Sequence, residues 1–401
     1  MKLFEKIKKK NQTYHKFLGI NIFSSQKDKE ENFYKIKCLF GLINFIYDLN
    51  LRCFKLKFLK WSLLKTKIKS SYRVLYFMFI PIWFQKVDKK FLNLLLDKII
   101  QNKPEYEDYY IFPCRSGEFF LLMHHFKEYV KQNNSTNFLL VFNAKYHENI
   151  FKMFYPEMPH VLIKKINVPL ISKAIKSNVF KYKNKRIFSP MNEKYFRGVE
   201  NSIRENNAHY YEYLKKYLNL NNEITNYTIS AETQKKIYNI AKYILNDNFI
   251  FISPETLSNE PMEKDFWENL VKFLKNKGYE VFCNAMFFEN LIKGTSSTFL
   301  TYEETIELAK YAKAIIGMRS GFLECLSQNN VPLVALYTDF PERPGFKRLK
   351  SNKVLSGFSI AKLPNVNAKK IIEIDVNEYA EESLIIKEIV SIIAKGDSIN
   401  A

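Results

Sequence analysis

The sequence predicts an α/β protein with two Rossmann-like domains facing a cleft and a basic, mainly helical N-terminal extension. From about Glu105, short β-branched and aromatic runs alternate with helical stretches, which is typical of parallel βαβ units. This alternation stops near residues 220–247 and then starts again. The 401 residues also exceed one ordinary domain. We therefore expect a division into residues 1–103, 104–245 and 246–401.

The first alternating segment predicts one Rossmann-like domain. A helix is expected at 118–132, and a long polar, tyrosine-rich helix at 193–218. Strands are expected at 109–113, 138–142, 161–163 and 186–189.

The second alternating segment repeats the pattern. Strands are expected at 249–253, 279–283, 314–317, 332–337 and 371–374. Helices are expected at 264–277, 303–313, 321–328 and 378–394. Ligands of such sheets bind outside the carboxyl ends of the strands, so the loops there are the candidate sites.

The N-terminal quarter carries most of the charge. Residues 1–103 hold 23 basic and seven acidic side chains, whereas the whole chain has a net charge of +21. Lysines alternate with large apolar residues, as in Phe54-Lys55-Leu56-Lys57-Phe58. The apolar runs are shorter than the roughly 20 residues of a spanning helix. Two interpretations stay open: an element lying on an anionic membrane surface, or a basic helical subdomain packed on the next domain.

The sequence disfavours several other classes of function. Lysine outnumbers arginine in residues 1–103, and no helix-turn-helix, zinc-finger or RNP pattern appears, which disfavours nucleic acid as the partner. The five scattered cysteines indicate neither a disulfide framework nor a zinc site, and they suit a reducing cytoplasm. GxGxxG, GxxxxGK[ST], HExxH and GxSxG are absent, which disfavours dehydrogenases, P-loop NTPases, zincins and serine hydrolases.

Residues 314–326 form the most specific candidate site, a strand followed by a tight turn and a helix start. Backbone N–H groups from Gly321 onward, with the Ser320 hydroxyl, can hold a phosphate. Arg319 can add a charge-assisted hydrogen bond, and Glu324 can accept from ribose hydroxyls. A plain helix cap, with Ser320 as N-cap and Glu324 near N3, explains the same residues equally well.

Three more loops follow predicted strands. Ser253 and Glu255 occupy a strand end that suits phosphate or sugar, or an ordinary turn. Glu118 begins a helix after Arg115 and can act as a general base, although acids are favoured there by the helix dipole alone. Arg343 lies in a further strand-end loop from which it can reach a phosphate.

Residues 249–340 resemble the donor domain of GT-B glycosyltransferases, nearest to bacterial surface-polysaccharide enzymes akin to the heptosyltransferases. The resemblance rests on Ser253-Pro254-Glu255, Phe266-Trp267, Lys277-Gly278-Tyr279 and Ile316-Gly317-Met318-Arg319-Ser320-Gly321. In that family a Gly-Asp pair supplies the proposed catalytic base at the place of Gly117-Glu118, where this chain has Glu instead of Asp. Residues 1–100 are not covered.

The resemblance implies a metal-independent hexosyl- or heptosyltransferase without a cofactor, whose donor is a nucleotide sugar bound by residues 246–401. Residues 104–245 would bind a surface-glycan or lipid-linked acceptor, as in lipopolysaccharide or capsule biosynthesis. We expect Glu118 to deprotonate the acceptor hydroxyl and Arg319 to stabilise the leaving diphosphate, which rests on Ser320 and Gly321. The basic N-terminal region would hold the enzyme on the cytoplasmic face of the plasma membrane. The alternative is an inactive, membrane-associated binding or scaffold protein with the same fold.

Overall fold

The computed structural model describes strand backbone within residues 4–86 and most of the chain from residue 89 to residue 397. The described ranges are 89–163, 171, 177–221, 223–244, 248–284, 291–297, 300–342 and 347–397. The chain divides into two compact units. The first comprises Met1–Glu107, Ile163–Lys176 and Phe180–Lys185, and the second comprises Asp108–Leu162, Ser177–Val179 and Arg186–Ala401.

The N-terminal quarter forms a nine-stranded antiparallel sheet in sequential order, followed by helix α1 (Lys89–Asn102). The mainly helical extension predicted here is not confirmed, because its backbone runs as strands. A lysine at every second position, as in residues 54–58, has the period of a strand and not of a helix. The strands are β1 (Phe4–Lys9), β2 (Gln12–Phe17), β3 (Ile20–Asp28), β4 (Phe33–Cys38), β5 (Ile43–Asp48), β6 (Cys53–Phe58), β7 (Trp61–Lys69), β8 (Tyr72–Phe77) and β9 (Ile80–Lys86).

The first Rossmann-like half is built on a five-stranded sheet in the order β12-β11-β10-β14-β13. Strands β10, β11, β12 and β14 pair in parallel. Its strands are β10 (Asp108–Ile111), β11 (Phe138–Phe142), β12 (His160–Leu162), β13 (Val179–Tyr182) and β14 (Lys185–Phe188). Its helices are α2 (Ser116–Gln132), α3 (Lys145–Phe154), α4 (Glu193–Asn206), α5 (Tyr210–Leu218) and α6 (Ala231–Ile244).

The second Rossmann-like half has a fully parallel sheet in the order β16-β15-β17-β18-β19. After β15, the chain forms β16 on one side of it and then forms β17, β18 and β19 on the other side. The topological switch point therefore lies between β15 and β17. Its strands are β15 (Phe249–Ser253), β16 (Glu280–Cys283), β17 (Ala314–Met318), β18 (Leu333–Tyr337) and β19 (Ile371–Asp375). Its helices are α7 (Lys264–Asn276), α8 (Tyr302–Ala309), α9 (Gly321–Leu326), α10 (Ser351–Phe358) and α11 (Glu382–Asp397).

The helices of the alternating region differ in part from the sequence-based expectation. The long helix predicted at 193–218 is two helices, because Asn207 adopts the left-handed conformation (φ 51°) and ends α4. The stretch at 220–247, expected to join the domains, contains α6. Within the residues whose side chains are described, no helix is long and apolar enough to cross a membrane.

The two Rossmann-like halves contact each other through buried histidines. His124 of α2 donates from Nδ1 to the carbonyl oxygen of Thr225 (2.8 Å), and its Nε2 accepts from the Gln328 amide (2.8 Å). His209, just before α5, donates from Nε2 to the carbonyl oxygen of Ser359 (2.9 Å). Burial lowers the pKa of both imidazoles to about 4. Both rings are therefore neutral in the folded protein at neutral pH.

These histidines make stability depend on pH. Their pKa is depressed on folding, so the unfolded chain binds more protons between about pH 6.5 and pH 4. The free energy of unfolding should fall as pH drops through this window, by up to about 1.4 kcal/mol per pH unit for each histidine. Above about pH 6.5, these two histidines should contribute no pH dependence to the free energy of unfolding. Urea unfolding at successive pH values measures this. His124→Gln and His209→Gln should each reduce the slope, and an unchanged slope in both variants would refute the assignment.

Candidate functional site

A cavity of about 790 Å³ opens between the two Rossmann-like halves, at the carboxyl ends of their strands. Its size is that of a small-molecule site. One wall is the loop after β10, and the other is the pair of loops after β15 and β17, at the switch point of the second sheet. Eight of the nine residues proposed from the sequence line this cavity: Arg115, Glu118, Ser253, Glu255, Arg319, Ser320, Gly321 and Glu324.

Strand β17 leads directly into the loop that carries Arg319 and Ser320. The Arg319 backbone N–H still donates to the carbonyl oxygen of Leu336 in β18 (2.9 Å), so the loop begins as an extension of the sheet. Ser320 then caps α9, since its Oγ accepts the Leu323 backbone N–H (3.2 Å). The helix-cap interpretation is therefore realised in the structure. The Ser320 hydroxyl proton remains a donor that a ligand can use.

Arg319 and Glu324 form a buried ion pair. Arg319 is 6% exposed and Glu324 is 2% exposed, and the guanidinium Nη2 donates to Oε1 of Glu324. Burial raises the pKa of Glu324, and the neighbouring Arg319 charge opposes this increase. Burial lowers the pKa of Arg319, but the combined effect of Glu324, Tyr210, Tyr337 and Glu118 outweighs burial, and the net direction is upward. The two side chains that were predicted to bind a ligand therefore form an ion pair with each other.

Two aromatic rings from different halves hold the Arg319 guanidinium in place. Its central carbon lies 4.5 Å from the Phe358 ring centroid and 5.4 Å from that of Tyr210. Tyr210 belongs to α5 of the first half, and Phe358 ends α10 of the second. The Nε of Arg319 has no hydrogen-bond partner among the described residues, which leaves one donor of this buried group for a ligand.

Two glycines allow the helices at the cavity wall to meet. A Cβ atom on Gly117, at the start of α2, would lie 2.4 Å from Cα of Gly321 and 2.5 Å from Oε2 of Glu324. A Cβ atom on Gly321 would lie 2.4 Å from the backbone nitrogen of Gly117. Only glycine fits at both positions, so the N-termini of α2 and α9 come within backbone contact.

The loop after β15 is tied to both neighbouring loops. Ser253 ends the strand and is 2% exposed, and Glu255 follows it on the cavity wall. The Thr256 hydroxyl donates to the carbonyl oxygen of Arg319 (3.3 Å). From the first half, Nη1 of Arg115 donates to the carbonyl oxygen of Leu257 (2.7 Å) and to Oγ of Ser258 (3.1 Å). Arg115 thus links the two halves across the cavity.

Glu118 offers a carboxylate that is not used for structure. It lies in the first turn of α2, half-buried on the cavity wall. Among the described residues, its carboxylate has no hydrogen bond or ion pair. Glu118 also lies at the positive end of the α2 dipole. A base with free lone pairs, facing a cavity, has the chemical properties needed to accept a proton from a bound hydroxyl.

The charges that line the cavity are balanced. Three basic side chains (Arg115, Lys264, Arg319) stand against three acidic ones (Glu118, Glu255, Glu324). An anionic ligand would therefore depend on directed hydrogen-bond donors more than on net charge. Arg343, the ninth predicted residue, lies outside the described residues. Among the described residues, no group of three or more His, Cys, Asp or Glu side chains is placed to hold a metal ion.

The cavity also contains residues that the sequence analysis did not propose. Asn284 directly follows β16, so the strand-end rule would have indicated it. Lys264 is exposed at the start of α7, and Tyr146 is exposed at the start of α3, a helix that was not predicted. Trp267 is 1% exposed, and its Nε1 has no partner among the described residues. Nothing local in the sequence indicates that Tyr146 reaches the cavity.

Comparisons with known proteins find similarity in structure but no match in sequence. No family model and no curated protein matches the sequence. The family 9 glycosyl transferase from Veillonella parvula has a TM-score of 0.44 at 11% identity, over 73% of this chain and 98% of that one. The E. coli ADP-heptose lipopolysaccharide heptosyltransferase II has a TM-score of 0.41 at 12% identity, over 73% and 99%. E. coli heptosyltransferase WaaC with ADP has a TM-score of 0.39 at 10% identity, over 72% and 99%.

The resemblance to heptosyltransferases stated from the sequence thus reappears among solved structures. All three TM-scores are below 0.5, so these likenesses carry no functional conclusion.

Separating the buried ion pair should be costly. Arg319→Met leaves the Glu324 carboxylate buried without its partner, which should lower the free energy of unfolding by about 3–5 kcal/mol. Urea unfolding measures the change. The control is Arg197→Met, which breaks a 2.7 Å pair with Glu193 on an exposed helix face and should cost less than about 1 kcal/mol. The double variant Arg319→Met, Glu324→Leu should recover most of the loss. Equal, small losses in both single variants would contradict the structural role.

Proposed function

We propose that this protein is a glycosyltransferase that moves a sugar from a nucleotide-activated donor to a surface-glycan or lipid-linked acceptor at the cytoplasmic membrane face. One observation carries the proposal: a free carboxylate of the first half, Glu118, and the strand-end loops of the second half line one cavity. A hydroxyl acceptor and a diphosphate donor need such an arrangement, with a base on one side and hydrogen-bond donors on the other.

The second half is the proposed donor side. Its cavity wall lies at the switch point of the sheet, where nucleotides bind in doubly wound folds. The hydroxyls of Ser253 and Ser320 and the free Nε of Arg319 would bind the donor phosphates. Because Glu324 compensates the Arg319 charge, we assign Arg319 to directed hydrogen bonding, with Lys264 as a further cation at the rim.

The proposed reaction is a direct displacement. The acceptor oxygen forms a bond to the anomeric carbon, the bond from that carbon to the diphosphate oxygen breaks, and Glu118 takes the hydroxyl proton. The leaving nucleoside diphosphate keeps the electron pair, and hydrogen bonds from the second half stabilise its new charge. The glycine contact between α2 and α9 would hold the base close to the donor.

A second candidate is a binding or scaffold protein that keeps the fold without catalysis. The ion pair of Arg319 with Glu324 favours it, because two of the predicted site residues are already occupied with each other. Donor binding without sugar transfer would be its signature.

Donor binding should be visible as thermal stabilisation. At about 100 times its dissociation constant, the right nucleotide or nucleotide sugar should stabilise the protein by about 2.7 kcal/mol. Differential scanning fluorimetry against a panel of nucleoside diphosphates and their sugars measures the shift. Ser253→Ala, which removes one hydroxyl from the cavity wall, should reduce the shift. The control Ser356→Ala removes a hydroxyl on α10, away from the cavity, and should leave it unchanged. No shift with any ligand of the panel would contradict the glycosyltransferase proposal.

Glu118 should be needed for chemistry and not for donor binding. Glu118→Gln keeps the size of the side chain and removes the base, so the turnover number should fall by about 10²–10⁴. The thermal shift with the donor should be preserved. Glu232→Gln, an exposed first-turn acid of α6 outside the cavity, is the matched control and should retain full turnover. Full activity of Glu118→Gln would remove Glu118 from the mechanism.

A further inference from the structure

The strand register of the N-terminal sheet places many of its lysines on the same face. Residues paired directly across antiparallel strands share a face, as do alternate residues along a strand. Lys35 pairs with Ile46, Ile46 with Lys55, and Lys55 with Lys65. Across β4 to β9, the lysines on this face, here called the lysine face, are Lys35, Lys37, Lys55, Lys57, Lys65, Lys67, Lys69 and Lys86.

The opposite face has a different composition. One row across β4 to β9 runs through six apolar positions without a break: Ile36, Phe45, Leu56, Leu64, Phe77 and Ile80. The next row pairs Tyr34 with Tyr47 and Tyr47 with Phe54. The sheet is therefore two-sided. The alternation of lysine with apolar residues along each strand becomes a segregation of charge once the strands are paired.

Few acids offset the lysine face. Within β3 to β9 its acidic positions are Asp28 and Asp48, which share a row through Phe33. Tyr72 and Tyr76 lie on the same face as Lys65 and Lys69. Neighbouring strands are about 4.8 Å apart, so the six strands β4 to β9 span roughly 24 Å. The register therefore places lysine and tyrosine positions on one face across about that width.

We propose that the lysine face is the surface by which this protein docks on an anionic lipid bilayer. Eight lysine positions on one face of a sheet suit a plane of anionic headgroups, and tyrosine favours the headgroup level. Nucleic acid fits less well, since the face has no arginine to make forked contacts with phosphates or bases. The inference rests on the proposed membrane location and not on the catalytic step.

Vesicle flotation with the full chain tests the proposal. The probes are phosphatidylcholine vesicles with and without phosphatidylglycerol. Each lysine near an anionic surface contributes about 1 kcal/mol, or roughly fivefold in affinity. The face variant replaces Lys35, Lys55, Lys65 and Lys67 by Thr, which suits strands, and should bind anionic vesicles more than about a hundredfold more weakly. The control variant replaces Lys272, Lys277, Lys313 and Lys370, which are exposed in the second half, and should bind like the native chain.

Two outcomes would overturn the proposal: equal binding by the face variant and the native chain, or equal loss in both variants. If the fourfold face variant does not fold, the single variants Lys55→Thr and Lys65→Thr give the same test, with about fivefold loss each. The thermal shift with the donor separates this result from the enzymatic proposal. A face variant that still binds the donor but not the vesicles would support the lysine face alone.

Discussion

The buried ion pair of Arg319 with Glu324 is the interaction on which the cavity depends. Removing two charges from water is unfavourable, and the attraction between them compensates for this only if the geometry of the pair is well fixed. Here the sheet fixes the backbone of Arg319 through Leu336, and the rings of Tyr210 and Phe358 fix its guanidinium. Because Tyr210 comes from the other half, the pair also holds the two halves in register. The same contacts therefore shape the loop and close the cavity.

The glycine contact adds a steric requirement to this electrostatic one. Gly117 and Gly321 each sit at the start of a helix, and their backbones approach more closely than any Cβ would allow. Two positive helix ends thus lie side by side, an arrangement that is unfavourable unless negative charge is nearby. Glu324, whose carboxylate lies against Gly117, supplies such charge in the absence of a ligand. The phosphates of an anionic donor would be attracted to the same positive helix ends.

Sequence reasoning found the loops because parallel strands end where their ligands bind, and strand ends such as Ser253 are marked by a change from apolar to polar residues. It could not find the ion pair, because each residue was assigned a ligand-binding role on its own, and the deciding partners Tyr210 and Phe358 are remote in sequence. The break at Asn207 was hidden for another reason, since asparagine also occurs inside helices. The N-terminal strands were open to prediction, because lysine recurs there at every second residue.

The chain uses positive charge in two physically different ways. In the cavity, three basic side chains face three acidic ones, so recognition there depends on the placement of donors over a few ångströms. In strands β3 to β9 of the N-terminal sheet, eight lysine positions share a face with two acidic positions, so any attraction there depends on summed charge and acts over about a Debye length. Under the membrane-docking proposal, this separation would let an anionic surface attract the protein without filling its cavity with unspecific anions. On the same proposal, the excess of basic residues in the first quarter would serve docking, whereas the balanced cavity would serve ligand selection.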